Sequence, residues 1–316
     1  MNDQDFIFSF DYIKLEKREK GVCDRGRKKS QNDEKQNILK PCDYFSLNEI
    51  RLSKSITQLS EWDKYMNPIL DSAPVKHMNN KILLVKRKMD VTLLSFLKDK
   101  REKRERRERR ERIKKGDKNE ESEMKETIVQ IIVIYNSLLN ILEWTGEQNG
   151  LVTLSCELDK ISLNEKGQAI LEDFSSSFFI KDFTGDIKED LVTSFAYLDI
   201  HVLFYLNQLS ENESLSSNNV HIICNKFING LKILDIFSLH FLQEYESRCI
   251  FSLQKLINMK KERILVELLK GSMYWDHFSM SLMFLIIGKI LNTRLFDSNM
   301  LNNIMNSMKN SELTFC

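Results

Sequence analysis

Asp173, Lys40 and Glu49 stand where a folded chain could put them to chemical use. Asp173 follows a short strand-like run, Ala169–Glu172, and is followed at once by Phe174. A carboxylate at the end of a strand, followed by a bulky apolar residue, is a common way to hold a charge over a cleft. Lys40 closes Asn37-Ile38-Leu39-Lys40, which reads as a short strand. Glu49 stands three residues after Ser46, the spacing of a capping box, so Ser46 is expected to open a helix and Glu49 to cap it or to offer its carboxylate elsewhere. Asp276 fits an N-cap on the run 274–291. Asp199 lies in Y-L-D-I-H-V-L-F. His201, His221, His240 and His277 are scattered, with no H-x-x-x-H or H-E-x-x-H, so spacing gives no metal site.

These residues need elements to position them. Gly150 opens a turn, and 151–154 reads as a strand. An irregular connection leads to a second strand at Ile161–Leu163. Asn164-Glu165-Lys166-Gly167 is a polar turn ending in glycine, a hairpin signal that returns the chain along 169–172. The run 127–144 is apolar on nearly every face and predicts a largely buried helix leading into this hairpin. Upstream, 62–69 predicts a helix ended near Asn67-Pro68. Residues 81–88 predict a strand, and 91–97 a short amphipathic helix. Downstream, helices are predicted over 191–208, 219–236 and 239–259, with a polar loop at 211–218. The apolar run 280–287 is too short to span a bilayer and predicts a buried helix.

The order of these pieces resembles the catalytic segment of eukaryotic-type protein kinases: a helix, the H-R-D-x-x-x-x-N loop, a β-hairpin and D-F-G. In that frame Thr153-Leu154-Ser155 replaces H-R-D, Lys160 takes the place of the loop asparagine, and Asp173-Phe174-Ser175 stands for D-F-G. The resemblance implies that Lys40 and Glu49 form the strand-lysine to helix-glutamate ion pair that holds nucleotide phosphates. It implies that Asp276, with Asp199 as a rival, hydrogen-bonds the catalytic-loop backbone, and that adenine would lie against backbone near residues 87–89. Gly21 and Gly26, in G-V-C-D-R-G, do not make the G-x-G-x-x-G phosphate loop, and no A-P-E follows Asp173 closely. The segments Y-F-S-L-N-E-I-R at 44–51, W-x-x-Y-x-x-P-I at 62–69 and W-D-H-F-S-M-S at 275–281 are together similar to divergent kinase-like proteins of large DNA viruses. The resemblance covers 36–291 in outline.

The expected fold is therefore α+β and bilobal, with a small β-rich N-lobe and a mainly helical C-lobe. Serine at 155 cannot act as the base near neutral pH. Lysine at 160 puts a cation where a neutral metal ligand belongs and repels Mg²⁺. Asp173 alone keeps its type as a metal ligand. The resemblance thus implies a pseudokinase, a binding or regulatory module with ATP and Mg²⁺ bound weakly or not at all. Two alternatives stand beside it. One is a divergent active Ser/Thr kinase using Lys40, Asp173 and an acid such as Asp159, with Glu157 also nearby. The other is a helical interaction scaffold unrelated to kinases.

Length and composition set the frame for these readings. The 316 residues carry 47 basic and 46 acidic side chains, so no global attraction to nucleic acid or membrane follows. Charge is patterned locally instead. The run 98–115 holds twelve basic and five acidic residues, with Glu at every third place. It cannot bury a core. It reads as a solvated helix laced by i,i+4 pairs or as a disordered insertion spanning 98–123, and nucleic acid could be met only through 98–115. The domain division is then 1–35, an N-terminal segment; 36–97, the N-lobe and hinge; the insertion; and 124–316, the C-lobe carrying the hairpin 150–174. The six cysteines, without a C-x-x-C pair, read as reduced thiols. With no signal-peptide pattern at the start, an intracellular protein, cytoplasmic or nuclear, is expected, meeting a protein partner and no membrane.

Overall fold

The computed structural model describes residues 35–75, 78, 80–111, 119–154, 156–210 and 213–291. The glycine-containing N-terminal segment up to residue 34, Ser155 and the tail 292–316 lie outside the described residues. The architecture is mixed α+β, with small antiparallel sheets followed by helices.

The chain begins with β1 (Lys35–Pro41), α1 (Tyr44–Ile56) and the single turn α2 (Trp62–Tyr65), then β2 (Asp71–Pro74) and β3 (Lys81–Arg87). The three strands form an antiparallel sheet in the order β1-β3-β2, with Lys40 opposite Ile82. Alternation along β3 buries Ile82, Leu84 and Lys86 on one face. Ile82 and Leu84 meet Ile69 there, with Ile38 and Ile50 packed against them. A lysine thus occupies the third core-facing register of an otherwise apolar strand face.

Next come β4 (Val91–Thr92), α3 (Leu93–Glu111), α4 (Asn119–Leu142), β5 (Leu151–Val152), β6 (Ile161–Leu163), β7 (Ala169–Leu171) and β8 (Phe178–Phe179). β6 and β7 form the expected hairpin, with Asn164 and Gln168 closing the turn and Gly167 at φ 74°. β4 extends the hairpin to a three-stranded sheet, and β5 pairs with β8. The helical remainder is α5 (Leu198–Gln208), α6 (Ser217–Ile233), α7 (Leu239–Leu253), α8 (Lys261–Leu269) and α9 (Met273–Leu291).

α9 belongs to both main cores. Trp275, Phe278, Leu282 and Leu285 face the cluster built by α5–α8. Met280, Met283, Phe284 and Ile287 face α1, α4 and the β6–β7 hairpin. Its apolar residues occur on all sides because it is sandwiched, as expected for a buried helix.

Several boundaries differ from expectation for identifiable reasons. The N-cap of α1 lies three residues earlier than expected, at Asp43 instead of Ser46, because Asp43 is in extended conformation and its carboxylate accepts the Ser46 amide. Ser46 is inside the helix and buried, so no Ser46–Glu49 capping box forms. The helix expected over 62–69 stops at Tyr65, because the Asn67 amide donates to the Leu171 carbonyl and the Ile69 amide to Ser53 Oγ. Residues 91–92 pair as a strand, and the helix beyond them does not end at 97. It continues into the charged run as far as Glu111, supported by Lys103–Asp99, Arg101–Glu105 and Arg106–Glu102 pairs at i,i+4. The long helix before the hairpin, expected to be largely buried, is covered on one face only. Ile134, Leu138 and Ile141 enter the core while Val129 and Ile132 are exposed. The stretch Glu126–Gln148 has the length and hydropathy of a membrane span, but only one face of it has protein to pack on.

Leu138 is fully buried and Val129 is 59% exposed. Leu138→Ala is expected to destabilise the chain by about 2–5 kcal/mol, and Val129→Ala by no more than about 0.5 kcal/mol. Urea denaturation of the two variants checks this. Equal losses would mean that the outer face of α4 is covered.

Candidate functional site

Glu49 is the centre of the site. It lies on the face of α1 that also carries Leu52, Ser53 and Ile56, all buried. Its side chain is completely inaccessible, so its charge must be compensated by neighbours. Two lysines do this. Lys40 Nζ of β1 donates to Glu49 Oε2 at 2.8 Å, and Lys86 Nζ of β3 donates to Oε1 at 2.5 Å. Lys86 also donates to the Glu172 carbonyl, just before Asp173. One carboxylate thus ties α1 to two strands, and through Lys86 to the end of the hairpin. Lys40 retains 29% of its side-chain exposure, whereas Lys86 retains 4%.

Asp173 is brought to the same place. Its Oδ1 accepts the Ser175 amide at 2.8 Å, and Phe174 beside it is fully buried. The ring anchors the turn. Asn48, one residue before Glu49, donates from Nδ2 to the Ser175 and Ser177 carbonyls at 2.9 and 3.0 Å. α1 therefore grips the segment after Asp173 through Asn48 and the lysines of β1 and β3 through Glu49. Burial pushes the Asp173 carboxyl up, but Lys40, the Ser175 donors and Lys160 outweigh it and hold the carboxyl below the usual range. Burial likewise opposes the charge on Lys40, and Glu49 and Asp173 outweigh it and raise its pKa.

The loop between β5 and β6 is held from α9. Asp276 accepts the Thr153 amide at 2.8 Å and the Leu154 amide at 2.7 Å, one on each carboxylate oxygen. It is not an N-cap, since it lies inside the first turn of α9 and reaches outward. Burial raises its pKa against the pull of those two amides. Leu154 has φ 49°, a left-handed conformation that costs a non-glycine residue roughly 1–2 kcal/mol. The two amide bonds hold it there. Asp199 does not share this role; its Oδ2 accepts the Trp275 indole N–H at 2.9 Å.

Beyond Leu154 the loop carries the residues expected to distinguish its chemistry. Cys156 is buried, and burial pushes its thiol well above the ordinary range, which removes it as a nucleophile. Lys160 Nζ pairs with Glu157 Oε1 at 3.2 Å, and both are partly exposed. The Lys160 carbonyl accepts the Glu172 amide at 3.0 Å, which sets Lys160 beside Asp173 across the hairpin. Asp159 is exposed on the turn. Where adenine was expected to lie, the Arg87 carbonyl accepts Asn67 Nδ2 at 3.0 Å, so that backbone acceptor already has a donor. Glu172 Oε1 is buried with no hydrogen-bond donor.

Lys40, Glu49, Asp173 and Lys160 are thus gathered at one junction between the β1-β3-β2 sheet and the β6–β7 hairpin. Sequence reasoning missed Lys86, Asn48 and Glu172. The signal for Lys86 was present: a lysine at the register where the alternation of β3 demands a buried residue. No protein-family model matches the chain, and no curated protein matches it.

Lys86→Ala is expected to cost about 3 kcal/mol, because it leaves a buried carboxylate and a carbonyl short of a donor. Lys40→Ala should cost about 1 kcal/mol, since Lys86 remains on Glu49 and Lys40 is partly in solvent. Urea unfolding of both variants measures this, and a larger loss for Lys40 would contradict it. Asp173 carries a lowered pKa, so its charge stabilises the fold above the unfolded value near about 3.9, and the contribution is lost as pH falls through the lower folded value. The stability difference between the native chain and Asp173→Asn should be full at neutral pH and close on acidification below that point. A difference that does not change with pH would contradict it.

Proposed function

We propose that the chain is a kinase-like module that has given up phosphoryl transfer: a pseudokinase of bilobal form, acting by binding a nucleotide and a protein partner. The observation that carries the reading is the joint placement of Lys40, Glu49 and Asp173 at one junction, with Asp276 fastening the Thr153–Leu154 backbone from below. That supports a nucleotide-type cleft with its supporting ion pair and loop anchor retained. The residues that would do the chemistry are changed. Ser155 follows the anchored Leu154 in sequence and offers a hydroxyl where transfer needs a carboxylate base. Lys160 sits on Glu157 beside Asp173, where a second neutral metal ligand would be required.

Lys40 fits a phosphate: it is a partly exposed cation, steadied by a buried carboxylate. The remaining residues do not fit a magnesium ion. Asp173 already accepts a backbone amide and lies under the influence of two lysines. A small dication in need of oxygen ligands would face the Lys160 ammonium. An active divergent kinase would need another base, and Asp159, exposed on its turn, has no feature that favours it.

The native chain, incubated with γ-labelled ATP, Mg²⁺ and generic protein substrates, is expected to incorporate no more label than its Asp173→Asn variant. Robust incorporation abolished by Asp173→Asn would overturn the pseudokinase reading.

A further inference from the structure

The retained lysines and the misfit to magnesium lead to a specific ligand state. Lys40 comes from β1 and Lys160 from the start of the hairpin, yet both act on Asp173. Lys160 is fixed there by geometry: its carbonyl accepts the Glu172 amide at 3.0 Å, and its ammonium rests on Glu157 at 3.2 Å. Lys86 holds the other oxygen of Glu49, so Glu49 stays compensated when Lys40 turns toward an incoming anion. Lys40 and Lys160 are the partly exposed cations of this junction, with side-chain exposures of 29% and 23%. Each can exchange its carboxylate partner for a phosphate oxygen without breaking the Lys86–Glu49 pair or the hairpin's backbone ladder.

We propose that this junction binds a nucleoside triphosphate as the metal-free anion, with the Lys40 and Lys160 ammonium groups supplying the counter-charge that a magnesium ion otherwise supplies. This rests on the reading of the junction as a nucleotide cleft. The electrostatics favour the free tetra-anion. A triphosphate already carrying Mg²⁺ brings a dication up against Lys160, and the two cations repel at close range in a partly desolvated site. A free triphosphate offers oxygens to both lysines instead, with strong charge-assisted hydrogen bonds. Magnesium therefore acts as a competitor for the nucleotide and weakens its binding.

The test is calorimetric titration of the full chain with ATP, in EDTA and in excess Mg²⁺ at matched ionic strength. Binding is expected in EDTA and should weaken about tenfold or more when Mg²⁺ saturates the nucleotide. Lys160→Asn, with folding checked by its thermal transition, should lose about tenfold in EDTA and bind better with Mg²⁺ than without it. Binding that requires or is strengthened by Mg²⁺ in the native chain would overturn the proposal, as would failure to bind ATP under either condition. An unaltered affinity of Lys160→Asn in EDTA would overturn it too. None of these outcomes bears on phosphoryl transfer, which the labelling experiment decides separately.

Discussion

A carboxylate with no access to water must find positive charge or stay protonated, and Glu49 has found two lysines. That requirement couples parts of the chain that sequence keeps apart. Lys40 lies nine residues away and Lys86 thirty-seven. Satisfying Glu49 with both pulls β1 and β3 together under α1 and fixes the rotation of the helix about its axis. Lys86 then reaches the Glu172 carbonyl, so the same cluster joins the sheet to the hairpin. Removing water from such a group is costly, and the pairing is favourable only with good geometry and every oxygen used. Both Glu49 oxygens are.

A second buried carboxylate plays the complementary part. Asp276 accepts two consecutive backbone amides and holds Leu154 in a conformation it would not adopt alone. It can do so because α9 is rigid, packed on one side against α5–α8 and on the other against α4 and the hairpin. Glu49 thus fixes the junction from the sheet side, and Asp276 fixes the loop from the helical side. Asp173 lies between them, with Asn48 gripping the backbone just beyond it. Preorganisation of this kind is what a binding site needs, since side chains held before the ligand arrives lose little freedom when it does.

Burial divides the residues of this junction into two groups. Glu49, Lys86, Asp276 and Phe174 are buried and also hold the fold, so replacing them costs stability. Lys160 and Asp159 lie on a loop with access to water, and their replacement costs the fold little. Substitution at such loop positions leaves the buried ion cluster, and with it the packing of α1 on the sheet and the hairpin, in place. A lysine at 160 is tolerated because Glu157 is at hand to pair with it and Asp173 lies within its field.

Local rules made much of this readable without coordinates. The hairpin at 161–171 and the buried character of the run 280–287 follow from alternation, turn chemistry and apolar content, which act over a few residues; beyond Leu97 the i,i+4 spacing allowed an ion-paired helix but left a disordered insertion equally open. The start of α1 was misplaced because Ser46 satisfies the capping pattern as well as Asp43 does, and only burial of Ser46 decides between them. The apolar residues of the α4 run surround its axis and so predict a largely buried helix; sequence shows how much apolar surface a helix has, not how much protein is there to cover it. The choice of Asp276 over Asp199 and the second lysine on Glu49 are contacts between distant segments. Chain packing decides these, because electrostatic compensation of a buried charge depends on distance in space and leaves no spacing rule in the sequence.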